Sequence, residues 1–487
     1  MQRLLNILKR LLGKNLTKQV RPLGHGLKSW FSAVYFGFPA RKLKLIGVNA
    51  TKGKTTTTVI CGRLMNLVGL KTGYVSTAII NLTGDKQDEK MNTFKMSTID
   101  GFQLQKSLKQ MVENGCEYAI LEMSSQGLKQ NRHWGLGQFL VGVFMNLYPE
   151  HLEAHNGLEN YRKAKSILFK NLDPNGFYVS VANRDQQQNS EAIWNSISLK
   201  KRETLTRINV FDSEFEISNE ANSFYKTLTF SKKKFYTSFI TDFEIKNLFF
   251  AIKVVELFKP DLIFNLQTYL SKLSGKVAGR MEFVVKDNKV VLDDSPISFN
   301  VVAQPTISII VDYAHEPKSV EKLLENLVEW KTRGFFTDII HILSSDGVGR
   351  DDWKKPIMGD ISFRNSDYTI LTTDNYGAGD DPQKIVDLLA SNLPEEKVFT
   401  KDLVLENLNS KKVILKVNRL EAFQQALNLA QMIIDNKDRT EADTDFHRKI
   451  IIVSTGVGSE YGLTQPSGII SWDEKKVWTE EFVSTFS

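Results

Sequence analysis

The residues that most clearly indicate chemistry are Thr51–Thr57, which read Thr-Lys-Gly-Lys-Thr-Thr-Thr. They follow a short apolar run, Leu43–Val48, and precede a segment with helical character. A strand, a glycine-containing loop and a helix in this order direct backbone N–H groups and a helix N-terminus at a polyphosphate. Lys54 would then supply a positive charge for the β- and γ-phosphates, and Thr55 or Thr56 a hydroxyl for Mg²⁺. The pattern predicts that the protein binds and spends ATP.

A carboxylate follows the next clear strand. Tyr118–Leu121 is apolar and ends at Glu122, which precedes Met123-Ser124-Ser125. In open α/β sheets the carboxyl ends of the strands line the ligand crevice, so Glu122 is a candidate Mg²⁺ ligand. Taken alone, an acid at a strand end also serves as a helix cap or a solvated charge.

Two histidines lie in the segment Glu150-His151-Leu152-Glu153-Ala154-His155. His151 and His155 are four residues apart, which would place them on one face of a helix. Zinc is one interpretation, but the absence of a nearby cysteine and the oxygen-rich surroundings suit Mg²⁺ better. A helix-capping region is the simpler alternative.

A lysine-containing run, Tyr161–Phe169, follows this segment. Its pattern predicts an amphipathic helix with solvated lysines. A buried lysine in such a helix would need a partner or a modification.

Three polar clusters lie at strand ends in the second half of the chain. They are Asp312–Pro317, Asp374-Asn375 and Gly456–Glu460. Each alone is an ordinary turn, but the carboxyl ends of parallel strands share one sheet edge. The three together predict a single ligand crevice.

The elements that must position these residues alternate between strand and helix. This alternation predicts an α/β fold, with a phosphate-loop ATPase domain built on a mostly parallel sheet and a C-terminal Rossmann-like α/β domain. We expect a basic amphipathic segment at residues 1–40, an ATP-binding domain at 41–303 and the second domain at 304–487. The strands expected besides those above are Leu140–Met145, Ile307–Asp312, Asp338–Leu343, Tyr368–Thr372 and Lys449–Val453, and the helices are Ser319–Trp330, Pro382–Leu393 and Leu420–Ile434.

Composition narrows the class of protein. The 487 residues are 41% hydrophobic and 24% charged, as in soluble globular proteins of more than one domain. The two cysteines give no disulfide framework, which favours a cytoplasmic location, and no apolar run is long enough to span a membrane. We expect a monomer without a nucleic-acid partner, because no recognition module is present.

The charge is unevenly distributed. Residues 1–84 contain 14 Lys and Arg and no Asp or Glu, whereas residues 85–487 contain 49 basic and 56 acidic residues. Leu4, Leu5, Leu8, Leu11 and Leu12 recur at helical spacing in this basic block. Such a helix packs on the protein body or rests on anionic lipid, so peripheral membrane contact is one expectation.

The order of these motifs resembles the Mur ligase family, and most of all its UDP-N-acetylmuramoyl-tripeptide synthetase branch. The branch adds a diamino acid to UDP-MurNAc-L-Ala-D-Glu. The matching motifs, spread over about residues 41–487, are Thr51–Thr57, Glu122–Ser125, Glu150–His155, Tyr161–Phe169, Gly279–Glu282, Asp312–Pro317 and Thr373–Asn375.

The resemblance implies a reaction. ATP phosphorylates a substrate carboxylate, an amine attacks the acyl phosphate, and phosphate leaves as an amide bond forms. Both steps place negative charge on phosphoryl oxygens, so preorganised cations are the main requirement. The implied context is peptidoglycan precursor synthesis, and with it cell-wall biogenesis, cell shape and cell division.

The resemblance also assigns roles to single residues. The catalytic residues would be Lys54, Glu122, His151 and Lys165. The Mg²⁺ site would comprise Thr55, Glu122, His151 and Lys165, the last as a carbamate. The ATP contacts would be Thr51, Lys52, Gly53, Lys54, Thr55, Thr56, Asn247, Arg280, Asp312 and His315. The muramoyl-peptide and amino-acid contacts would be Thr98, Ser124, Arg132, His155, Asp374, Asn375, Gly456 and Glu460.

The sequence departs from the family pattern in three places. Ala50 stands where the family has a glycine, which would matter if that position needed a positive φ. Only about 40 residues precede the ATPase domain, so we expect no N-terminal uridine-nucleotide-binding domain, and the acceptor is then either UDP-linked or lipid-linked.

The third departure concerns the incoming amino acid. Family members that add diaminopimelate carry Asp-Asn-Pro-Arg, whereas this chain has Asp374-Asn375-Tyr376-Gly377 and then Asp380-Asp381. Without the arginine fork for a distal carboxylate, the segment favours L-lysine. The alternatives are another Mur-like or folylpolyglutamate-type ligase, or a nucleotide-binding scaffold without activity.

Overall fold

A computed structural model describes residues 21–94, 96–220, 223–291, 305–347, 349, 351–377, 379–399, 411–435, 448–460 and 462–486. The chain divides into two compact units, Met1–Ala221 with Tyr225–Gly275, and Asn222–Phe224 with Lys276–Ser487. The amphipathic pattern of residues 4–12 lies outside the described residues. No described helix combines the length and apolar composition needed to cross a membrane.

The first unit contains helix α1 at residues 21–35, then β1 (Lys44–Asn49), α2 (Lys54–Leu67), β2 (Thr72–Val75), β3 (Ile79–Asn81), β4 (Lys90–Met91), α3 (Gly101–Glu113), β5 (Tyr118–Glu122), α4 (Ser125–Lys129), β6 (Phe139–Phe144), α5 (Leu152–His155), α6 (Leu158–Lys170), β7 (Leu172–Val181), α7 (Gln187–Asn195), α8 (Leu199–Arg202), β8 (Thr206–Val210), β9 (Phe215–Asn219), β10 (Lys226–Phe230), β11 (Lys233–Tyr236), α9 (Asp242–Glu256) and α10 (Leu262–Leu270).

The main sheet of this unit has the strand order β4-β3-β2-β5-β1-β6-β7-β8. Strand β1 is almost wholly buried and lies parallel between β5 and β6, with Val48 opposite Glu122 and Asn49 opposite Phe144. An apolar strand buried on both faces is typical of a parallel sheet covered by helices. The register brings the ends of β1, β5 and β6 to one edge.

Helix α2 follows β1 through the loop Ala50–Gly53. Residues Thr55–Met65 are all buried, because α2 packs between the sheet and helix α9. Helix α9 starts with a reciprocal cap, in which Thr241 Oγ1 accepts from Glu244 N and the Glu244 carboxylate accepts from Thr241 N. Packing against α9 and the strands holds α2 on the sheet.

The second unit contains β12 (Glu282–Lys286), β13 (Lys289–Val290), β14 (Thr306–Val311), α11 (Pro317–Thr332), β15 (Asp338–Ser345), α12 (Lys354–Asn365), β16 (Tyr368–Thr373), α13 (Pro382–Ala390), β17 (Val398–Phe399), β18 (Lys412–Leu415), α14 (Arg419–Asp435), β19 (Lys449–Ser454), β20 (Leu463–Gln465), β21 (Gly468–Ile470) and α15 (Glu474–Phe486).

Its main sheet has the order β13-β12-β14-β19-β15-β16-β18-β17, and β14, β19, β15, β16 and β18 run parallel. Val311 lies opposite Ser454, and Ser345 lies opposite Thr373, so these strands end at a common edge. The α/β fold is confirmed, and the strands and helices expected within the described residues of the two α/β units are found to within a few residues.

The boundary between the units differs from the expected one at 303/304. The compact units divide at Gly275 and Lys276, because β12 pairs with β14 in the second sheet. The strand before the expected boundary is therefore part of the second core.

Candidate active site

The loop between β1 and α2 is held in shape by a residue from the end of β6. Asn146 Oδ1 accepts the backbone N–H groups of Thr51 and Lys52 at 3.0 and 2.9 Å, and its Nδ2 donates to Lys52 O at 3.0 Å. Lys52 Nζ lies 3.1 Å from the Glu150 carboxylate. Ala50 is fully buried and does not have the positive φ that would require glycine. The substitution at Ala50 is therefore compatible with the loop.

Gly53 is the position in this loop where glycine is required. Its φ is 84°, and a Cβ there would lie 2.4 Å from Asn247 Oδ1 and 3.1 Å from Met145 Cε. Asn247, which the resemblance assigns to ATP, is buried against this turn.

Lys54 begins α2 and folds back on the loop. Its Nζ donates to Thr51 O at 2.8 Å. The ammonium group is therefore held at the loop's mouth, where a bound polyphosphate would attract it more strongly than a carbonyl does. Thr55 and Thr56 are buried in the first turn behind it.

The Glu122 carboxylate is paired with the first turn of α2. It accepts Thr55 Oγ1 at 2.9 Å, Thr77 N at 2.7 Å and Thr77 Oγ1 at 2.9 Å, and it is buried. A carboxylate and a hydroxyl oxygen in contact suit Mg²⁺, which prefers a few protein oxygens and completes its shell with water and phosphate. The described residues hold no group of three or more His, Cys, Asp or Glu side chains placed to bind a metal ion.

Lys165 is buried, unlike the solvated lysine expected from the helical pattern alone. Its Nζ donates to Ala50 O at 2.6 Å and Asn49 Oδ1 at 3.1 Å, and lies 4.7 Å from the Tyr161 ring centroid. Burial, with the nearby charge of Lys54 as a second cause, holds the pKa of Lys165 well below 10.5. Burial of the amine at the phosphate loop therefore disfavours its charged form.

His151 lies before a helix rather than within one, so the expectation that both histidines lie on one helix is wrong for His151. His151 has a left-handed backbone, with φ at 53°, and precedes the short helix α5. Its Nε2 lies 3.8 Å from the Glu150 carboxylate. His155 is buried, hydrogen-bonds Ser125 Oγ through Nε2 at 3.1 Å, and has its pKa lowered to about 4, mainly by burial. Both rings nevertheless lie near Tyr161, with their centroids 6.5 and 5.1 Å from the centroid of its ring.

Thr98, Ser124 and Arg132 lie together next to β5. Thr98 Oγ1 accepts Ser124 N at 2.9 Å, and Arg132 Nη1 donates to Thr98 O at 2.6 Å. Ser124 also caps α4 by accepting Gly127 N at 3.1 Å. The structure thus groups the three residues assigned to the muramoyl peptide.

In the second unit the three strand-end clusters converge, as expected. Tyr313 OH donates to Glu460 Oε1 at 2.6 Å, and Asn375 Nδ2 donates to Glu460 Oε2 at 3.1 Å. A Cβ at Gly458 would lie 2.7 Å from Tyr313 Cβ. Glu460, which follows β19, therefore joins the segments that follow β14 and β16.

Asp374 is buried beneath this convergence. Its Oδ2 accepts Ser344 Oγ at 3.1 Å, and burial followed by the charge of Asp346 raises its pKa well above 3.8. Gly456, with φ at 106°, closes the space, since a Cβ there would lie 2.1 Å from Ser344 Oγ and 2.9 Å from Asp374 Oδ2. The carboxyl groups of Asp374 and Asp346 interact with each other, so binding of an ammonium group here would be favourable.

Arg280, Asp312 and His315 surround Tyr313. Arg280 Cζ lies 4.3 Å from the Tyr313 ring centroid, and His315 Nδ1 donates to Tyr313 O at 2.7 Å. Asp312 accepts Met281 N and Ala314 N, both at 2.8 Å, and burial raises its pKa. These three residues assigned to ATP thus form one group.

A cavity of about 240 Å³ adjoins Asp374 in the same unit. Arg419, at the start of α14, lines it and pairs with the buried Glu474 through Nε at 3.0 Å. Arg419 Nη1 is buried without a hydrogen-bond partner among the described residues. The other lining residues are Thr373, Asp374, Tyr376, Val417, Asn418, Glu421, Leu463 and Gln465.

The sequence alone did not identify several residues that the structure places at the site. Asn146 follows the predicted strand 140–145 directly, and this position was the signal available for it. Thr77 and Arg419 carried no such signal, because their roles depend on which strand lies beside which. Tyr161, whose hydroxyl lies 3.1 Å from Thr51 Oγ1, was noted only as part of a helix.

These features define a two-unit α/β protein with a phosphate loop in one unit and an acidic strand-end site in the other. The family Mur ligase middle domain matches residues 48–255, and the family Mur ligase, glutamate ligase domain matches residues 299–434.

Named relatives support the same family, and solved structures share its fold. The UDP-N-acetylmuramoyl-L-alanyl-D-glutamate--2,6-diaminopimelate ligase of Clostridium tetani is 30% identical over 459 residues, which cover 92% of this chain and 79% of the relative. The enzyme of that name from Clostridium perfringens is 28% identical, with 92% and 80% covered.

Among solved structures, one of a ligase with that name has a TM-score of 0.52 at 20% identity and covers 96% of this chain and 83% of its own. Mycobacterium tuberculosis folylpolyglutamate synthase, complexed with ADP and AMPPCP, has a TM-score of 0.59 at 14% identity, with 93% and 96% covered. At these identities the structures show a shared fold.

The chain belongs to the Mur ligase family, and its relatives place it in the tripeptide-synthetase branch. It is an ATP-dependent ligase that joins a carboxylic acid to an amino acid.

Proposed function

We propose that this ligase joins a diamino acid to a UDP-N-acetylmuramoyl-L-alanyl-D-glutamate-type muramoyl peptide in peptidoglycan precursor synthesis. The observation that carries the proposal is the buried Thr55–Glu122 pair behind a phosphate loop, in a chain whose relatives are named for this reaction. The folylpolyglutamate alternative rests on fold similarity at 14% identity and is therefore less well supported.

The proposed reaction, which the family resemblance implies, fits the groups at the loop. A carboxylate oxygen of the muramoyl peptide attacks the γ-phosphorus of ATP, ADP leaves, and an acyl phosphate forms. The amine then attacks the acyl carbon, phosphate leaves, and the amine loses a proton. Loop N–H groups and Lys54, which would exchange Thr51 O for a phosphate oxygen, stabilise the charge that develops.

Mg²⁺ fits the oxygen pair of Thr55 and Glu122, and His151 is the third residue assigned to it. When bound, the ion neutralises charge on the phosphates. The protein's contribution is to hold Glu122 rigidly, since Thr77 donates to this carboxylate through both N and Oγ1.

The carbamate of Lys165 is part of the proposal. A neutral amine adds CO₂ and loses a proton to give an anion, whereas an ammonium cannot, so the lowered pKa of Lys165 supports it. Its neighbours Asn49 and Ala50 place the new carboxylate beside the phosphate loop.

The amino acid enters the second unit in this proposal. Asp374, Glu460 and Asn375 offer oxygen acceptors for ammonium groups. The relatives are named for 2,6-diaminopimelate, which we propose first. The preference for lysine does not find support in those names.

Arg419 supplies a physical reason for diaminopimelate. The segment Asp374–Asp381 lacks a basic side chain, but Arg419 comes from another element and lines the same cavity as Asp374. A guanidinium there would hold the distal carboxylate that lysine lacks. L-Lysine is the second candidate, because Glu474 already engages two nitrogens of this guanidinium.

An amino-acid panel tests the proposal. Phosphate release from ATP is measured with the muramoyl dipeptide carrier and diaminopimelate, lysine, ornithine or glutamate. We expect release with diaminopimelate and less with lysine. Release with lysine alone would reverse the choice of amino acid, release with glutamate and a folate would favour the alternative ligase, and no release with any pair would indicate an inactive scaffold.

Replacing Glu122 with glutamine tests the metal assignment. The amide keeps the size of the side chain but loses its charge, so we expect phosphate release to fall by about 10²-fold or more and to need more Mg²⁺. Glu117→Gln, an exposed change just before the same strand, is the matched control. Equal Mg²⁺ dependence in wild type and Glu122→Gln would contradict the assignment.

A further inference from the structure

Helix α1 packs on the first unit through its small residues. Gly26, Ser29 and Ala33 are buried. A Cβ at Gly26 would lie 2.7 Å from Trp134, and one at Gly135 would lie 2.5 Å from Ala33 Cβ. This face of α1 is closely packed, so the helix is firmly seated.

The opposite face of α1 carries its large apolar side chains. We call Leu23, Leu27, Trp30, Phe31, Val34 and Tyr35 the outer stripe; their exposed fractions are 49, 43, 44, 61, 45 and 77%. Their spacing of three and four residues places them along one side of a helix. A helix of a globular protein normally buries its large apolar side chains, whereas α1 buries small residues and exposes the large apolar ones.

Further aromatic rings extend the outer stripe. Phe102, which is 38% exposed, lies 5.2 Å from Phe36 and 6.3 Å from Tyr35 between ring centroids. A contiguous exposed patch of this kind marks an interaction surface. Aromatic residues of this type are enriched where proteins meet the membrane–water interface.

The charge around the stripe identifies its partner. Arg21, Arg41 and Lys42 are exposed near the two ends of α1, and the acidic group that faces this helix, Asp100, is paired with Lys28. A second copy of this face, or the basic residues 1–20 of the same chain, would bring like charges together. An anionic lipid surface would instead neutralise them.

We propose that the outer stripe docks this ligase on a membrane surface rich in anionic lipid. Helix α1 lies in the headgroup region with its rings toward the acyl chains, and the flanking Lys and Arg side chains contact lipid phosphates. The contact is peripheral. It is independent of the phosphate loop, since none of the stripe residues belongs to the site.

Vesicle sedimentation of the full-length protein tests this surface. Binding to phosphatidylglycerol-containing vesicles is compared with binding to phosphatidylcholine alone. We expect binding only to the anionic vesicles, weakened by salt, and at least about tenfold weaker for the double variant Phe31→Ser/Tyr35→Ser, which loses two apolar side chains. Phe264→Ser, which removes a ring that is 76% exposed elsewhere in the first unit, is the matched control and should bind like wild type.

Unchanged phosphate release by the double variant shows that it is folded. Absence of binding to anionic vesicles would overturn the proposal, as would equal binding by wild type and the double variant. A wild-type dimer in sedimentation velocity that the double variant abolishes would also overturn it, because a second copy would then cover the stripe.

Discussion

At the scale of single residues, Lys165 has surroundings that oppose its positive charge. It is 1% exposed, and its described hydrogen bonds go to neutral oxygens of Asn49 and Ala50. Burial of an ammonium group favours the neutral amine, and the charge of Lys54 acts in the same direction, whereas Glu150 opposes it. This burial destabilises the folded protein at the phosphate loop, where we propose that the amine carries a carbamate.

The pH dependence of stability reports this cost. Between its lowered folded pKa and about 10.5, Lys165 binds fewer protons folded than unfolded, so wild-type stability rises with pH by up to about 1.4 kcal/mol per unit. Below the lowered pKa both states are protonated and the slope vanishes. We expect Lys165→Met to lack this rise when unfolding by urea is followed in CO₂-free buffer at pH values stepped downward from about 10.5.

Lys163→Met is the control for this measurement. Lys163 lies on the same helix but is exposed, so its variant should follow the wild-type slope. Parallel curves for wild type and Lys165→Met would contradict a lowered pKa.

At the scale of elements, the sequence predicted the parts whose signal is local. The apolar run before Thr51 and the glycine loop predicted β1, the loop and α2, and the strand ends at Glu122, Asp312 and Asp374 were placed correctly. Convergence of the second-unit clusters on Glu460 followed from the rule that parallel strands end at one edge.

The features that failed depend on long-range contacts or on backbone conformation. Helical spacing does not show that Lys165 faces β1, and it does not show that His151 adopts a left-handed φ. The unit boundary was misplaced because β12 joins a sheet whose next strand, β14, is separated from it in sequence. Arg419 was not found because Glu474 and the cavity are assembled by distant segments.

The turn between β1 and α2 gives a prediction that separates backbone strain from contact. Gly53 and Gly69 flank α2 with almost equal φ, 84° and 83°, but only a Cβ at Gly53 would meet another group. We expect Gly69→Ala to cost about 1 kcal/mol of stability with normal nucleotide affinity, and Gly53→Ala to weaken nucleotide binding at least about tenfold as well. Calorimetric titration with AMPPNP and Mg²⁺ measures the affinity. Equal affinities of the two variants would contradict a contact role for Gly53.

At the scale of the whole molecule, the described contacts divide the chemistry between two units. The phosphate loop, Glu122 and Lys165 are held by residues of the first unit, whereas Glu460, Asn375 and the cavity beside Asp374 belong to the second. Gly53 and Glu460 therefore belong to separate sets of contacts, although the second unit also holds Arg280, Asp312 and His315, which the resemblance assigns to ATP. The stabilisation of the fold by the nucleotide and by the diamino acid can therefore be measured separately.

Thermal shifts test this division in one experiment. A ligand at about 100 times its Kd stabilises the fold that binds it by about 2.7 kcal/mol, which raises the unfolding temperature measurably. We expect Gly53→Ala to lose the shift caused by AMPPNP and Mg²⁺, and Glu460→Gln to keep it. The shift caused by the diamino acid, measured with nucleotide present, should be lost in Glu460→Gln, because the amide removes the negative charge that Tyr313 and Asn375 hold in place. If Glu460→Gln instead abolished the nucleotide shift, the residue would belong to the nucleotide site, and the amino acid would have to be placed elsewhere in the second unit.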